Sequence, residues 1–287
     1  MSVFKYYKAI YNYSIIKEKG NIKMKGKLMN VISFVLVVCF CTELVYAESY
    51  TDEISYEEVY TMYKDDPQFL SMKADYGDEY AEEFLNDVLE RLNQKNVSRG
   101  GGGNVCYEYV KNIQQTETYN CGMTTVLQTL YGLDSADSVP GDSDAEKIEY
   151  LDEQYNFDEH VSTYVYQVRN ALNKYNEWNS TYIYLKANNI ASPQHLLGYI
   201  ADSLTYCKPV ILHANTKGLK YYDGKESGHY ISVDYIDRTT QKARVVDCNY
   251  DDEYYGIHND VSIEELYECI VPKDEDGDVK EYRYLIY

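Results

Sequence analysis

Apolar residues recur with a helical period in four stretches of the chain. Ala81, Phe84, Leu85, Val88, Leu89 and Leu92 fall at i, i+3, i+4, i+7, i+8 and i+11, which predicts an amphipathic helix with one acidic face. Met123, Val126, Leu127, Leu130 and Tyr131 predict a second helix ending at Gly132, a residue able to take the left-handed cap. Tyr164, Val168, Ala171, Leu172 and Tyr175 mark a third. A fourth opens at Ser192-Pro193, a serine N-cap with proline in the first turn, and carries Leu197, Ile200 and Leu204 on one face. Capping boxes at Ser55-Tyr56-Glu57-Glu58 and Ser262-Ile263-Glu264-Glu265 add two further helix starts. Strand signals cluster later, at Tyr182 to Leu185, Pro209 to Leu212, Tyr230 to Ile236, Ala243 to Val246 and Tyr282 to Tyr287. Helices lead and strands follow. With short loops such as Asp237-Arg238-Thr239-Thr240 between neighbouring strands, this order predicts an α+β fold with an antiparallel sheet.

Two breaks divide the pattern. Lys23, Lys25 and Lys27 precede the apolar run Val31 to Cys41, and Val45-Tyr46-Ala47 follows with a small residue, so residues 1–47 are expected to be a cleaved export signal. The run holds 11 residues, where a membrane-spanning helix needs about 20, so no stable membrane insertion is expected after cleavage and the mature chain is expected to be secreted. Met24-Lys25-Gly26-Lys27 would make a more usual start for such a signal, and a lipoprotein reading at Leu36-Val37-Val38-Cys39 lacks the small residue before the cysteine. Gly100 to Gly103 is the second break, since four consecutive glycines suit neither a helix nor a strand interior. The expected organisation is an acidic helical pro-segment or docking segment over residues 48–99, a linker at 100–103 and a catalytic domain over 104–287.

Charge narrows the partners. The 287 residues include 47 Asp+Glu against 27 Lys+Arg, a formal −20, and residues 1–47 hold 7 basic and 2 acidic residues, so the mature chain would carry −25. Such a chain repels phosphate, which argues against nucleic acid and against anionic membrane surfaces. Hydrophobic residues at 45% keep it within the globular range. The 35 tyrosines, against 6 phenylalanines and 1 tryptophan, are spread along the chain and are expected to replace Phe at half-buried positions with the hydroxyl at the water boundary.

Cys121 stands where the second predicted helix begins, after the polar run Thr116 to Asn120. The positive end of a helix dipole favours thiolate, so a cysteine there has the makings of a nucleophile. Among His160, His195, His213, His229 and His258, the best base is His229, which follows Gly228 and opens a strand, with His213 at the end of another strand as its rival. An imidazole acting as base is held in one tautomer by a partner on its other nitrogen. Asp247, ending the strand after His229, is the expected partner, with Asn249 the substitute if Asp247 points away. Gln115, six residues before Cys121, offers a side-chain amide for an oxyanion, as does the backbone N–H of Cys121 itself.

These residues carry a resemblance. Gln115 with Tyr119-Asn120-Cys121-Gly122-Met123-Thr124-Thr125, then Gly228-His229-Tyr230-Ile231-Ser232-Val233, then Val245-Val246-Asp247, resemble the three blocks of papain-like cysteine peptidases of the bacteriocin-leader (double-glycine) type, in the branch called cysteine-peptidase family 39-like. The resemblance spans about Asn104 to Tyr287. It implies a papain-like fold, hydrolysis of peptide or isopeptide bonds, Cys121 as nucleophile, His229 as base, Asp247 as orienter and Gln115 in the oxyanion hole. The family often has proline soon after the cysteine-glycine pair and after the aspartate, where this chain has Met123 and Cys248. Leader peptidases of this type are usually domains of exporters, so leader cleavage is not carried over.

No cofactor and no metal are expected. Asp274-Glu275-Asp276-Gly277-Asp278 has its glycine out of phase with a calcium loop and reads as a turn built on Asp276-Gly277. Of the cysteines outside the signal, Cys106, Cys121, Cys207, Cys248 and Cys269, Cys121 is expected to stay unpaired. Strand alternation is expected to turn Cys248 to the face opposite Asp247. The expected function is a secreted thiol hydrolase acting on a peptide or protein substrate. An acyltransferase or transglutaminase-like enzyme using the same thiolate, and a non-catalytic binding module, are the competing readings.

Overall fold

The computed structural model describes residues 54–94, 105–155, 163–177, 181–274 and 276–287. The expected export signal, the glycine run, His160 and Glu275 lie outside the described residues. Three helices come first: α1 (Tyr56–Tyr63), α2 (Pro67–Tyr76) and α3 (Asp78–Gln94). They are followed by β1 (Val105–Tyr107), α4 (Cys121–Gly132), α5 (Asp144–Tyr155), α6 (Val165–Tyr175), β2 (Tyr184–Lys186) and α7 (Pro193–Thr205). The chain continues through β3 (Val210–Asn215), β4 (Gly228–Asp237), β5 (Lys242–Asp247), β6 (Gly256–Ser262), α8 (Ile263–Ile270) and β7 (Tyr284–Ile286).

The strands form one antiparallel sheet in the order β2-β7-β3-β4-β5-β6, with β1 paired to the far end of β4. Helix α4 lies along β4, where Thr125 Oγ1 donates to the Tyr230 carbonyl at 3.3 Å. Helices α7 and α8 pack against one another and against β3. The architecture is thus α+β.

Local chemistry explains most element ends. Both serine capping boxes form, at Ser55 with Glu58 and at Ser262 with Glu265. Ser192 accepts from the His195 N–H ahead of Pro193, as its position predicts. Helices α2 and α5, and strand β6, are findings beyond the hydrophobic pattern. Asp66 caps α2 by accepting from the Gln68 and Phe69 N–H groups, and Glu146 accepts from Ser143 N–H at 3.0 Å at the start of α5. Helix α2 is only ten residues long and α5 is mostly polar, so capping rather than a long periodic stripe marks them. Gly132 does not take the left-handed cap: that conformation falls on Asp134, with φ of 50°. Glycine is needed at 132 for a different reason, since a Cβ there would lie 2.4 Å from the Tyr109 carbonyl oxygen. At Asp274 the side chain accepts from the N–H groups of Asp276 and Asp278 at 3.0 and 2.9 Å, with Gly277 at φ 85°, so the acidic run is a self-closing turn.

The tyrosines are more interior than their hydroxyls suggested. Tyr63, Tyr182 and Tyr230 are fully buried, and their hydroxyls donate inside the protein to the carbonyls of Tyr184, Pro209 and Thr163. A backbone carbonyl stands in for water in each case.

The glycine run does not separate two cores. Residues 54–287 form one compact unit, and α1 to α3 share its hydrophobic core. Phe84 stacks on Tyr184 of β2 with ring centroids 4.7 Å apart, and Tyr63 meets both rings edge-on. Arg169 of α6 pairs with Asp87 at 2.6 Å, while Asp66 accepts from the Tyr284 hydroxyl at 2.9 Å. The apolar stripe of α3, which would have to cover Cys121 in an inhibitory pro-segment, instead covers β2. No helix among the described residues is long and apolar enough to cross a membrane.

Candidate active site

Cys121 is the first residue of α4 and is a buried thiol. The loop before it is held from three sides. The Gln115 N–H donates to the Cys248 carbonyl at 2.7 Å, Gln128 of α4 donates to the Ile113 carbonyl at 2.9 Å, and Gln114 donates to the Tyr250 carbonyl at 3.0 Å. Asn120 precedes the helix without capping it, because its side chain is spent on the loop, donating to Thr116 Oγ1 at 2.7 Å. The first N–H groups of α4, that of Cys121 included, are therefore not answered by the residue that usually answers them. Gly122 lets the helix start press against Thr163, whose Cβ would be 2.8 Å from a side chain at that position.

The register of β4 and β5 assembles the rest. Asp247 pairs with Ile231, two residues beyond His229, so the two side chains are diagonal neighbours on one side of the sheet. His229 Nε2 lies 2.8 Å from Asp247 Oδ1. An ionised Asp247 accepts only, so Nε2 carries the hydrogen and Nδ1 is left for another partner; besides Asp247 the imidazole interacts with the thiols of Cys121 and Cys248. Burial by itself would lower the His229 pKa, but the Asp247 charge and hydrogen bond, with the two thiols, outweigh it and hold the pKa well above the ordinary value. Burial likewise pushes Asp247 up, and His229, the Asn249 N–H and the Tyr222 hydroxyl bring it below the ordinary carboxylate value.

Opposite shifts within one buried pair give a stability window. The His229 contribution is complete below its unfolded pKa of about 6.5 and is lost as pH rises through the raised folded value. The Asp247 contribution is complete above about 3.9 and is lost as pH falls through the lowered folded value. Thermal midpoints of the native protein and of the double variant His229→Gln, Asp247→Asn are therefore expected to differ most between about pH 4 and 6.5, by several degrees, and to converge on either side. A difference that stays constant from acid to alkali would contradict the pairing.

The other expected participants fall unevenly. Gln115 is buried and donates one N–H of its amide to the Glu117 carbonyl at 2.8 Å, and an amide has a second. Asn249 does not replace Asp247. Its N–H donates to Asp247 Oδ1 at 2.9 Å and its side chain donates to the Tyr222 hydroxyl at 2.8 Å. His213, the rival base, stacks on Tyr230 and sits 3.2 Å from Arg283 Nη1; burial first, then Arg283, push its pKa down to about 3, so it stays neutral. His195 caps the loop before α7 by accepting from the Ala191 N–H at 3.2 Å, and His258 stacks on Tyr221.

Cys248 departs from the expected separation. Its thiol does turn away from Asp247, toward α4, but the N-terminus of α4 is where Cys121 stands. Cys248 Sγ consequently lies 3.6 Å from the Cys121 carbonyl oxygen and 3.7 Å from Gln115 Oε1, and it also interacts with the His229 ring. Strand alternation was followed, and the helix packed on that side brought the thiol into the site. Tyr221 and Tyr222, both donors to Asp247 Oδ2, carried no signal in the sequence, because a tyrosine pair in a loop of a tyrosine-rich chain is indistinguishable from the rest.

Among the described residues no group of three His, Cys, Asp or Glu side chains is placed to hold a metal ion. No family model and no curated protein matches the chain. Among solved structures it is similar to one described as the crystal structure of a double glycine motif protease from an AMS/PCAT transporter in complex with the leader peptide, at a TM-score of 0.37 and 13% identity, covering 63% of this chain and 93% of that one.

Proposed function

We propose that this protein is a papain-like thiol hydrolase that cleaves peptide or isopeptide bonds, with Cys121 as nucleophile, His229 as general base and acid, and Asp247 as the group that orients His229. The observation that carries this reading is the imidazole of His229, fixed through Nε2 to Asp247 at 2.8 Å while it also engages the thiol at the start of α4. His229 takes the thiol proton, and the sulfur attacks the substrate carbonyl to give a tetrahedral oxyanion. The Cys121 N–H and the second N–H of Gln115 are the donors for that oxyanion. Its collapse expels the amine, which takes the proton from His229, and leaves a thioester. Water, deprotonated by His229, then attacks the thioester and returns the thiolate. Export from the cell, inferred from residues 1–47, is part of the same proposal, with a peptide or protein outside the cell as substrate.

Alkylation of the protein by iodoacetamide across pH, followed by peptide mass spectrometry, tests it. Cys207 is exposed, whereas Cys121, Cys248 and Cys269 are buried. Accessibility alone would make Cys207 react first. The expected result is that Cys121 is alkylated first and that His229→Ala slows its alkylation at neutral pH by about a hundredfold, the lower end of what a positioned base contributes. Preferential reaction at Cys207 with Cys121 untouched would overturn the reading.

A further inference from the structure

A carboxylate buried as completely as Asp247 needs a donor for each lone pair, because an unanswered one costs the full loss of hydration. Asp247 has four. Oδ1 accepts from His229 Nε2 at 2.8 Å and from the Asn249 N–H at 2.9 Å, and Oδ2 accepts from the hydroxyls of Tyr221 at 3.0 Å and Tyr222 at 2.9 Å. The direction of the Tyr222 bond is forced, since the ionised carboxylate only accepts, and a lone pair of the same hydroxyl accepts from Asn249 Nδ2 at 2.8 Å.

Both rings are held in place. They stand side by side in the tight turn Lys220–Tyr222 between β3 and β4, which ends at Asp223 with φ of 49°. Tyr221 stacks on His258 with centroids 3.5 Å apart and planes 6° from parallel, and Tyr222 stacks on Tyr254 at 4.5 Å and 15°. His258 is itself fixed by the Tyr254 carbonyl at 2.8 Å from Nε2. Loop residues 249–255 and the start of β6 thus brace two phenols that the hydrolytic steps above do not use.

Resting on the reading of Cys121, His229 and Asp247 as the catalytic groups, we propose that Tyr221 and Tyr222 are positioning residues that keep Asp247 ionised and aimed at His229, and so set the pH range in which Cys121 is nucleophilic. The phenols remain protonated donors, as burial raises the pKa of both. The titratable groups facing the pair are Cys121 from α4, Cys248 after β5, Tyr221 and Tyr222 from their turn and His213 from β3, the last neutral through burial and Arg283. Without the two phenol donors the carboxylate is less favoured, the imidazolium it supports is weaker, and the thiolate-imidazolium pair exists over a narrower range.

The test is the pH dependence of Cys121 alkylation by iodoacetate, an anion whose reaction depends on the imidazolium as well as on the thiolate, in the full-length protein, comparing native protein with Tyr221→Phe, Tyr222→Phe and the double variant, and with Tyr254→Phe as a control that keeps the stacked ring. The expected result is a bell whose acidic limb moves up and whose alkaline limb moves down, by about one pH unit each in the double variant, with little change in Tyr254→Phe. A purely structural role would instead scale the rate equally at every pH. Should the double variant not fold, the single variants and Asn249→Ala, which removes the donor to Tyr222 and keeps the N–H on Asp247, are expected to move the limbs the same way by less. Unmoved limbs in folded variants would overturn the positioning role alone, whereas native Cys121 with no selective alkylation would overturn the hydrolase reading along with it.

Discussion

Cys121→Ala is expected to abolish hydrolysis of any peptide substrate, a fall on the order of 10⁴-fold or more, as when a covalent nucleophile is removed from a triad. The fold should survive, because the substitution removes one sulfur atom from the first turn of α4 and adds no volume. Cys248 will not take over, since its thiol is fully buried among Thr125, the Cys121 carbonyl and Gln115, turned inward to α4. A peptide library read by mass spectrometry checks activity, and circular dichroism checks the fold. Turnover near the native rate in a folded Cys121→Ala protein would remove Cys121 from the mechanism. Should Cys248→Ala abolish turnover while Cys121→Ala does not, the nucleophile has been assigned to the wrong neighbour.

Truncation to Asn104 is expected to leave a chain that does not fold to a soluble, cooperative unit. Val59, Tyr63, Phe69, Met72, Ala81, Phe84, Leu85, Val88 and Leu92 are all buried in the core shared with the sheet. At roughly 1.5–3 kcal/mol for each large side chain, their burial is comparable with the whole stability of a domain, about 5–15 kcal/mol. Part of that burial lies among the three helices themselves, yet their loss also uncovers Tyr184 and leaves Arg169 without Asp87. Expression of residues 104–287 followed by thermal denaturation measures the effect. A soluble fragment with a sharp transition and raised peptidase activity would restore the pro-segment reading.

Removal of a segment and cleavage of a loop are different events. Cutting within residues 100–103 leaves α1 to α3 in place on β2 and α6. A nicked protein is accordingly expected to keep its activity, whereas the truncated one is not.

Elements whose cause is local could be read directly from the chain. The capping boxes at Ser55 and Ser262, the N-cap at Ser192 and the periodic face of α4 each depend on residues within one or two helical turns, and each forms as the spacing predicts. Cys121 at a helix start and Asp247 at a strand end are local facts of the same kind. The pairing of His229 with Asp247 needs more than the hairpin: the turn sets Asp237 opposite Lys242, and an irregularity between Val233 and Tyr235 then shifts the register by one residue, which puts Asp247 opposite Ile231, on the His229 side, rather than opposite Ser232.

What the sequence could not decide depends on groups far apart along the chain. Gly132 is glycine because of the Tyr109 carbonyl, and the stripe of α3 has its partner in Tyr184, some hundred residues away. The same is true of Cys248, whose orientation is a property of the strand but whose surroundings are a property of the helix laid over it. Tyr221 and Tyr222 matter only because the Asp247 carboxylate, once buried by the fold, must find donors, and these two phenols are the ones the turn before β4 brings to it. Sequence by itself determined the candidate nucleophile, base and orienter, each at or near the end of an element. The burial that shifts their charges, and the tyrosines that answer the carboxylate, were decided only when the tertiary structure closed around them.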